Sequence, residues 1–541
     1  MRASTLLLIV WCAAAASGPN VFGAGRGEPQ AAPVDSDAPR VRAALDAGEA
    51  EAAVTLVEAW IARDGAAALD PALAVRVAKL FDLTLRYEAG VRFVEARAEA
   101  GLLDGELARA AAGLFSETGR IRLWGELLDG ALEKRTQDAR LLLERARVAF
   151  SLLEYEPALA IVGRIAEPSL KQSAAATYLR GACLAGLGRW DSALEALDRC
   201  LAVDADHARA RFERGRVLVR LERYPEAIAT FETMLLEGRD PPVRAGLLSQ
   251  LGRALHRVGR RDEARFILDA FRQANVEDER WKDLEATLRL DPEQPVAIAD
   301  LVEFGLDHRI SQRRLVALIE RGLQLCGGRG PVAARLHVVR GRWHRRARRL
   351  DPAKQSFLAA LEAHRDAHAA RLELAELSLS VGAIEFADRF LSRSEGEVDP
   401  SRWLLARAEL EARRRQPADF DAIAEFVRRA IDADPSHFEA MVALVDVGQA
   451  LGRREEVEVE LERRAGATED HPNFALARAV LAIESAEWEI ADEWLARAEQ
   501  IDPFEPRLHH YRSVRHQRGS DPKAADAARR RARLYHRILG R

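Results

Sequence analysis

Residues 174–207 read "AAATYLRGACLAGLGRWDSALEALDRCLAVDADH", and residues 208–241 repeat their layout 34 positions later. Gly215 stands where Gly181 stood, Tyr224 where Trp190, Ala227 where Ala193 and Phe231 where Leu197. Each stretch carries two runs of helical apolar spacing, parted in the first by a turn at Gly188-Arg189. A helix pair of this size cannot bury its own apolar face, so pairs must stack into a continuous array. The period therefore overrides the three or four globular domains that 541 residues would otherwise suggest. No convincing run of alternating β-branched residues argues for strands.

The same register recurs elsewhere. Gly252, Gly259, Ala264 and Leu268 mark one unit; Gly341, Ala353, Phe357 and Ala360 another; Gly382, Ala387 and Leu391 a third. Trp488, Ala491, Leu495 and Ala498 mark a late unit, Tyr155, Ala158 and Val162 an early one, and weaker units begin near 71 and 105. Asp-Pro pairs at 70–71, 291–292, 351–352, 399–400, 434–435 and 502–503 fall near unit boundaries, where Asp can cap and Pro can open a helix.

A 34-residue helix–turn–helix unit with a small residue at position 8, an aromatic at 17 and Ala at 20 and 27 resembles the tetratricopeptide repeat family. The resemblance covers nearly the whole chain after the leader. It implies an all-α, right-handed superhelical solenoid of antiparallel helix pairs, about fourteen between 38 and 541. Residues 279–333 lack the small residues at the expected spacing, and "RRRQPADF" near 413–420 shifts the register. The expected organisation is a signal peptide over 1–24, a flexible linker over 25–38, an N-terminal solenoid over 39–278 and an irregular joint over 279–333. A C-terminal solenoid over 334–506 and basic capping helices over 507–541 complete it.

Composition agrees with packed helices. The chain is 48% hydrophobic and 31% charged but only 6% aromatic, with alanine and leucine supplying most of the apolar mass. A formal net charge of −4 gives no reason to expect a polyanion partner for the chain as a whole. Arg2 and the apolar run "LLLIVWCAAAA" have the length of a secretory signal core, with cleavage expected after Ala14-Ala15-Ala16 or near Val21-Phe22-Gly23. The expectation is export to the periplasm or beyond. Membrane contact is expected only through an uncleaved leader or the C-terminus, where residues 507–541 hold eleven Arg or Lys against two Asp.

In the family, the first helix of each pair lines a concave groove through positions 2, 5, 6, 9, 12 and 13. By register, position 9 is Arg147, Ala182, Arg216, Arg253 and Arg342 in five units, position 13 is Arg220 and Arg257, and Arg345 and Arg346 join Arg342 on the same face. An arginine-lined groove favours acidic or carboxylate-bearing proteins or peptides through forked, charge-assisted hydrogen bonds. Glu144 and Glu213, three residues before Arg147 and Arg216, are positioned to pair with them. Some family members bind C-terminal peptides through a lysine and asparagine clamp, but Asn occurs here only at 20, 275 and 473.

No nucleotide loop, hydrolase elbow or paired catalytic carboxylates stand out, and no cofactor, metal or small-molecule substrate is expected. His364 and His368 have helical i,i+4 spacing but straddle a unit boundary, and Cys183 and Cys200 read as small core residues with a disulfide as the alternative. The expected function is a non-catalytic protein-binding scaffold of the cell envelope or exterior. The alternative is a subunit of an envelope machine that makes or exports polysaccharide. Nucleic acid is disfavoured by the leader.

Overall fold

In a computed structural model, the described residues are 37–166, 168, 172–237, 244–308, 311–414, 419–435, 437–465 and 472–540. The expected signal peptide and most of the linker lie outside them. Among the described residues there are 28 α-helices, one short 3-10 turn and no strand. The helices fall into fourteen consecutive pairs, from Asp37–Ala47 with Ala50–Asp64 to Pro506–Arg518 with Pro522–Ile538.

The 34-residue period has a backbone signature. The turn inside most pairs needs one residue in the left-handed region, and that residue steps by 34 through Leu85, Gly119 and Leu153, then from Gly188 to Glu222, Arg348 to Gly382, and Gly452 through Ala486 to Ser520. Glycine adopts this conformation without steric penalty, whereas Leu85 and Leu153 hold it against one. Small residues at position 8 then let the paired helices touch. A Cβ on Gly181 would lie 2.8 Å from Leu197 Cγ, and one on Gly252 would lie 2.8 Å from Leu268 Cδ2. Ala193, Cys200, Ala227, Ala353 and Ala360 are buried at the matching close approaches. Cys183 and Cys200 are two separate buried thiols, and burial pushes the Cys183 thiol up to about 12.

Helix ends obey two rules rather than one. Asp70 caps the helix Pro71–Leu83 by accepting from the Leu73 amide at 3.0 Å, with Pro71 at the first helical position, and Asp399 does the same for the Arg402 amide at 2.7 Å. Asp291, Asp434 and Asp502, by contrast, are the C-caps of helices that end there. A residue before proline is pushed out of the helical region, so at these three places Asp-Pro stops a helix instead of starting one. The pair Asp351-Pro352 sits inside the first turn of Leu350–Ala363.

The array also touches itself at long range. The helix Arg261–Leu290 runs 30 residues, against 14 for the second helices Trp190–Val203 and Tyr224–Glu237. Its far end reaches the third pair, where Arg289 meets Glu117 at 3.3 Å. Gln312–Leu325 packs on the first two pairs, and its Arg321, 4% exposed, donates to the Thr84 carbonyl at 2.7 Å. One apolar core consequently joins Val41–Cys183 to residues 281–339. The C-terminal helix Pro522–Ile538 packs on Tyr224–Glu237, Arg244 donates to the Ile538 carbonyl at 2.7 Å, and Phe266 stacks on Phe504 at 4.6 Å. Roughly seven or eight pairs bring the chain back upon itself, and the successive turns are in contact. Among the described residues no helix is long and apolar enough to cross a membrane.

Candidate functional site

First helices of consecutive pairs stand side by side, and the residues at their groove positions enclose two cavities. The first, about 390 Å³, is bounded by Gly113 and Ser116 of Gly105–Glu117, Glu144, Arg147 and Ser151 of Ala139–Ser151, Tyr178 of Ala174–Gly186, and His207 and Arg209 at the start of Ala208–Arg220. Glu144 is 2% exposed. Its Oε1 accepts from Arg147 Nη1 at 3.0 Å, while its Oε2 is buried with no hydrogen-bond partner among the described residues. Burial raises the Glu144 carboxyl above the usual range, and the nearby Arg147 and Arg109 charges oppose that rise. Across the cavity the Tyr178 and His207 rings lie 4.9 Å apart. His207 Nδ1 accepts from the Ala210 amide at 3.1 Å, which places the proton of the neutral ring on Nε2. Burial, the larger effect, lowers the pKa of His207 and so keeps it neutral.

The second cavity, about 280 Å³, is walled by Glu303, Arg342, Arg345, Arg346, Glu373 and Arg402, among others. Glu373 is wholly buried, and three arginines converge on it: Arg342 at 2.8 Å, Arg345 at 2.6 Å and Arg402 at 3.1 Å. Glu376 takes Arg345 at 2.8 Å and Arg402 at 2.7 Å. Three neighbouring first helices, Gly330–Arg346, His368–Ser380 and Pro400–Arg414, are thereby tied by charge.

The groove arginines thus divide by what they touch. Arg147 and Arg216 pair with Glu144 and Glu213 of their own helices, Arg216 donating from Nη1 to both Glu213 oxygens at 2.9 Å. Arg342 and Arg345 hold Glu373, and Arg346 donates to the Leu306 carbonyl at 2.6 Å. Arg220 lies over the Trp190 ring at 5.9 Å. Arg253 and Arg257 are exposed and have no ion-pair partner among the described residues. The register reading missed Tyr178, His207, Arg209, Glu373 and Arg402. A recurrent Glu at position 6, seen at 144, 213 and 373, was the available signal for the last cluster.

Other candidates separate. His364 is the C-cap of Leu350–Ala363 and His368 opens the next helix, with its Nδ1 3.1 Å from the Arg371 guanidinium. Among the described residues no cluster of three or more His, Cys, Asp or Glu could hold a metal ion.

A tetratricopeptide repeat profile matches residues 179–252, which include the close approaches of Gly181 to Leu197 and Gly215 to Phe231. Similar solved structures include the Cut9–Hcn1 hetero-tetramer of the APC/C, at 14% identity over 81% of this chain and 95% of that one, with a TM-score of 0.32. Yeast Tom70 aligns at 12% identity over 84% and 98%, with a TM-score of 0.31. TTC0263, a thermophilic TPR protein of Thermus thermophilus, aligns at 20% identity over 34% and 98%, with a TM-score of 0.27. These scores lie far below those of a shared overall path. No curated protein matches the chain in sequence. Residues 179–252 match the tetratricopeptide repeat profile, and the 34-residue turn spacing and close glycine contacts carry the same helix-pair layout to other parts of the all-helical array.

Proposed function

We propose that the chain is a non-catalytic scaffold that binds partner polypeptides along its concave face, in the cell envelope or outside the cell. The observation that carries this reading is the pair of cavities lined by groove positions of successive first helices. A surface built from many helices offers side chains at regular spacing along a line, which suits an extended polypeptide better than a compact small molecule. The leader "LLLIVWCAAAA" supports export, and the exposed Arg253 and Arg257 support an acidic character in part of the partner.

Two experiments test it. Full-length chain immobilised on resin is used to capture polypeptides from an envelope extract. Saturable capture of one or a few species, competed by free chain, is expected, and a synthase or export pore among them would identify an envelope machine instead of a general scaffold. No saturable capture would contradict the reading. A fusion of the first 30 residues to a reporter active only outside the cytoplasm should give signal, and silence would remove the envelope location.

A further inference from the structure

The last helix, Pro522–Ile538, carries its charge differently from the helix before it. On Pro506–Arg518 each arginine is answered by a carboxylate: Arg507 by Glu505, Arg512 by Glu499, Arg515 by Asp492 and Arg518 by Glu484. On Pro522–Ile538 Arg529 has such a partner, Asp526 at 3.1 Å. Lys523, Arg530, Arg531, Arg533 and Arg537 are exposed and have no ion-pair partner among the described residues. At about 3.6 residues per turn, Lys523, Arg529, Arg530, Arg533 and Arg537 fall within roughly a third of the helix circumference. The opposite side is fixed to the array. Ala525, Ala528 and Ile538 are buried, the Tyr535 ring meets those of Phe266 and Phe504, and Arg244 donates to the Ile538 carbonyl.

Capping a solenoid requires a polar outer face but does not set its sign. Either charge keeps a terminal helix in water, and Asp or Glu does so better than Lys or Arg. The chain as a whole holds 81 Lys or Arg against 85 Asp or Glu, yet this row sets five cations against one anion, Asp526. Glu232 on Tyr224–Glu237 feels the Arg530 charge, but its ion pair is with Arg260. We propose that this face rests on an anionic membrane surface. Lipid phosphates form a continuous sheet of negative charge, which a straight row of long cations meets without any pocket, and each cation within a Debye length gains from it. The row has no large exposed apolar side chain to insert, so the contact is electrostatic and reversible. It also has no aromatic side chain to stack on bases, and the leader that supports export separates the chain from nucleic acid. This surface is distinct from the groove and does not depend on the groove reading.

The test is flotation of full-length chain with vesicles of phosphatidylcholine and with vesicles of equimolar phosphatidylcholine and phosphatidylglycerol. The chain should float with the anionic vesicles in excess over the neutral ones, and high salt should remove that excess. Replacing Arg530, Arg533 and Arg537 together by Gln should weaken partition onto anionic vesicles by about a hundredfold, about fivefold per cation. The thermal melt should be unchanged, because all three side chains are exposed. Replacing the same three by Lys should keep the parent behaviour. Equal flotation with both kinds of vesicle, or a Gln variant that floats like the parent, would place any binding in the leader or another surface and overturn the proposal. Failure of the parent to float, with retention of the parent but not of the Gln variant on polyglutamate or on DNA, would assign the face to an acidic polypeptide or to nucleic acid and overturn it equally. Polypeptide capture by the groove stands or falls separately from each of these results.

Discussion

Substituting alanine for glycine distinguishes a packed repeat register from a generic helical array. Gly181 lies inside the helix Ala174–Gly186, where alanine is favoured over glycine by about 0.5–1 kcal/mol. A Cβ there, however, meets Leu197 Cγ at 2.8 Å, Leu197 Cδ2 at 3.0 Å and the Leu197 backbone nitrogen at 3.2 Å. Leu197 is fully buried, so it cannot swing clear, and overpacking of this kind costs about 1–3 kcal/mol. Gly181→Ala should therefore destabilise the chain by about 0.5–2 kcal/mol net. Gly130, in Ile121–Lys134, is exposed with nothing within 4 Å of its added Cβ, so Gly130→Ala should stabilise by about 0.5–1 kcal/mol. The assay is the urea midpoint of each variant by circular dichroism. A double-mutant cycle with Leu197→Ala adds a second reading, because the new methyl at 181 fills part of the space left at 197 and the coupling should be favourable. If Gly181→Ala stabilises as much as Gly130→Ala, the close helix approach is absent and the packing account fails.

Further outcomes follow from the charged and long-range contacts. Arg321→Ala removes a buried bond to the Thr84 carbonyl between two superhelical turns and should cost about 2–4 kcal/mol in urea unfolding; an unchanged midpoint would show that the turns do not depend on it. Replacing both Arg253 and Arg257 by Gln should weaken capture of an acidic partner by about tenfold while leaving the thermal melt unchanged, whereas normal capture would make these arginines ordinary solvated surface. Arg342→Gln belongs to a different class, because it strips a ligand from the buried Glu373 and should lower stability. His337, whose Nδ1 lies 2.8 Å from the Arg340 guanidinium, has its pKa lowered to about 4, by burial first and by the Arg340 charge second. A lowered folded pKa means that His337 contributes stability fully above its unfolded value of about 6.5 and loses it as pH falls toward 4. Allowing for partial exposure, His337→Gln should remove on the order of 1–2 kcal/mol of acid sensitivity across that window, and an identical pH profile would contradict the assignment.

The repeat was legible because it is written locally. Glycine at 181, 215, 252 and 341, and the aromatic or leucine it faces about sixteen residues later, lie within one helix pair, so a single sequence shows both halves of each contact. The closure of the turns was not legible. It depends on single side chains such as Arg321 and Arg244, whose partners lie 237 and 294 residues away and carry no periodic mark. Register grouped Arg342, Arg345 and Arg346, but their pairing was missed: Glu373 sits on the next first helix, 31 residues beyond Arg342, and only its recurrence at position 6 of other units marked it. The Asp-Pro pairs show a similar limit, since the dipeptide disfavours helix at the Asp whether a helix is ending or about to begin.

The most direct measurement of the central claim places a photo-activatable benzophenone side chain at Ser116 or Ser151, on the lining of the first cavity, and in parallel at Glu493, an exposed residue of the second helix Trp488–Ile501. Each variant is irradiated in envelope extract, and adducts are resolved by mass. The account predicts the same polypeptide adduct from both cavity positions and none above background from position 493. Equal labelling from position 493, or no polypeptide adduct from either cavity position, would contradict a concave polypeptide-binding surface.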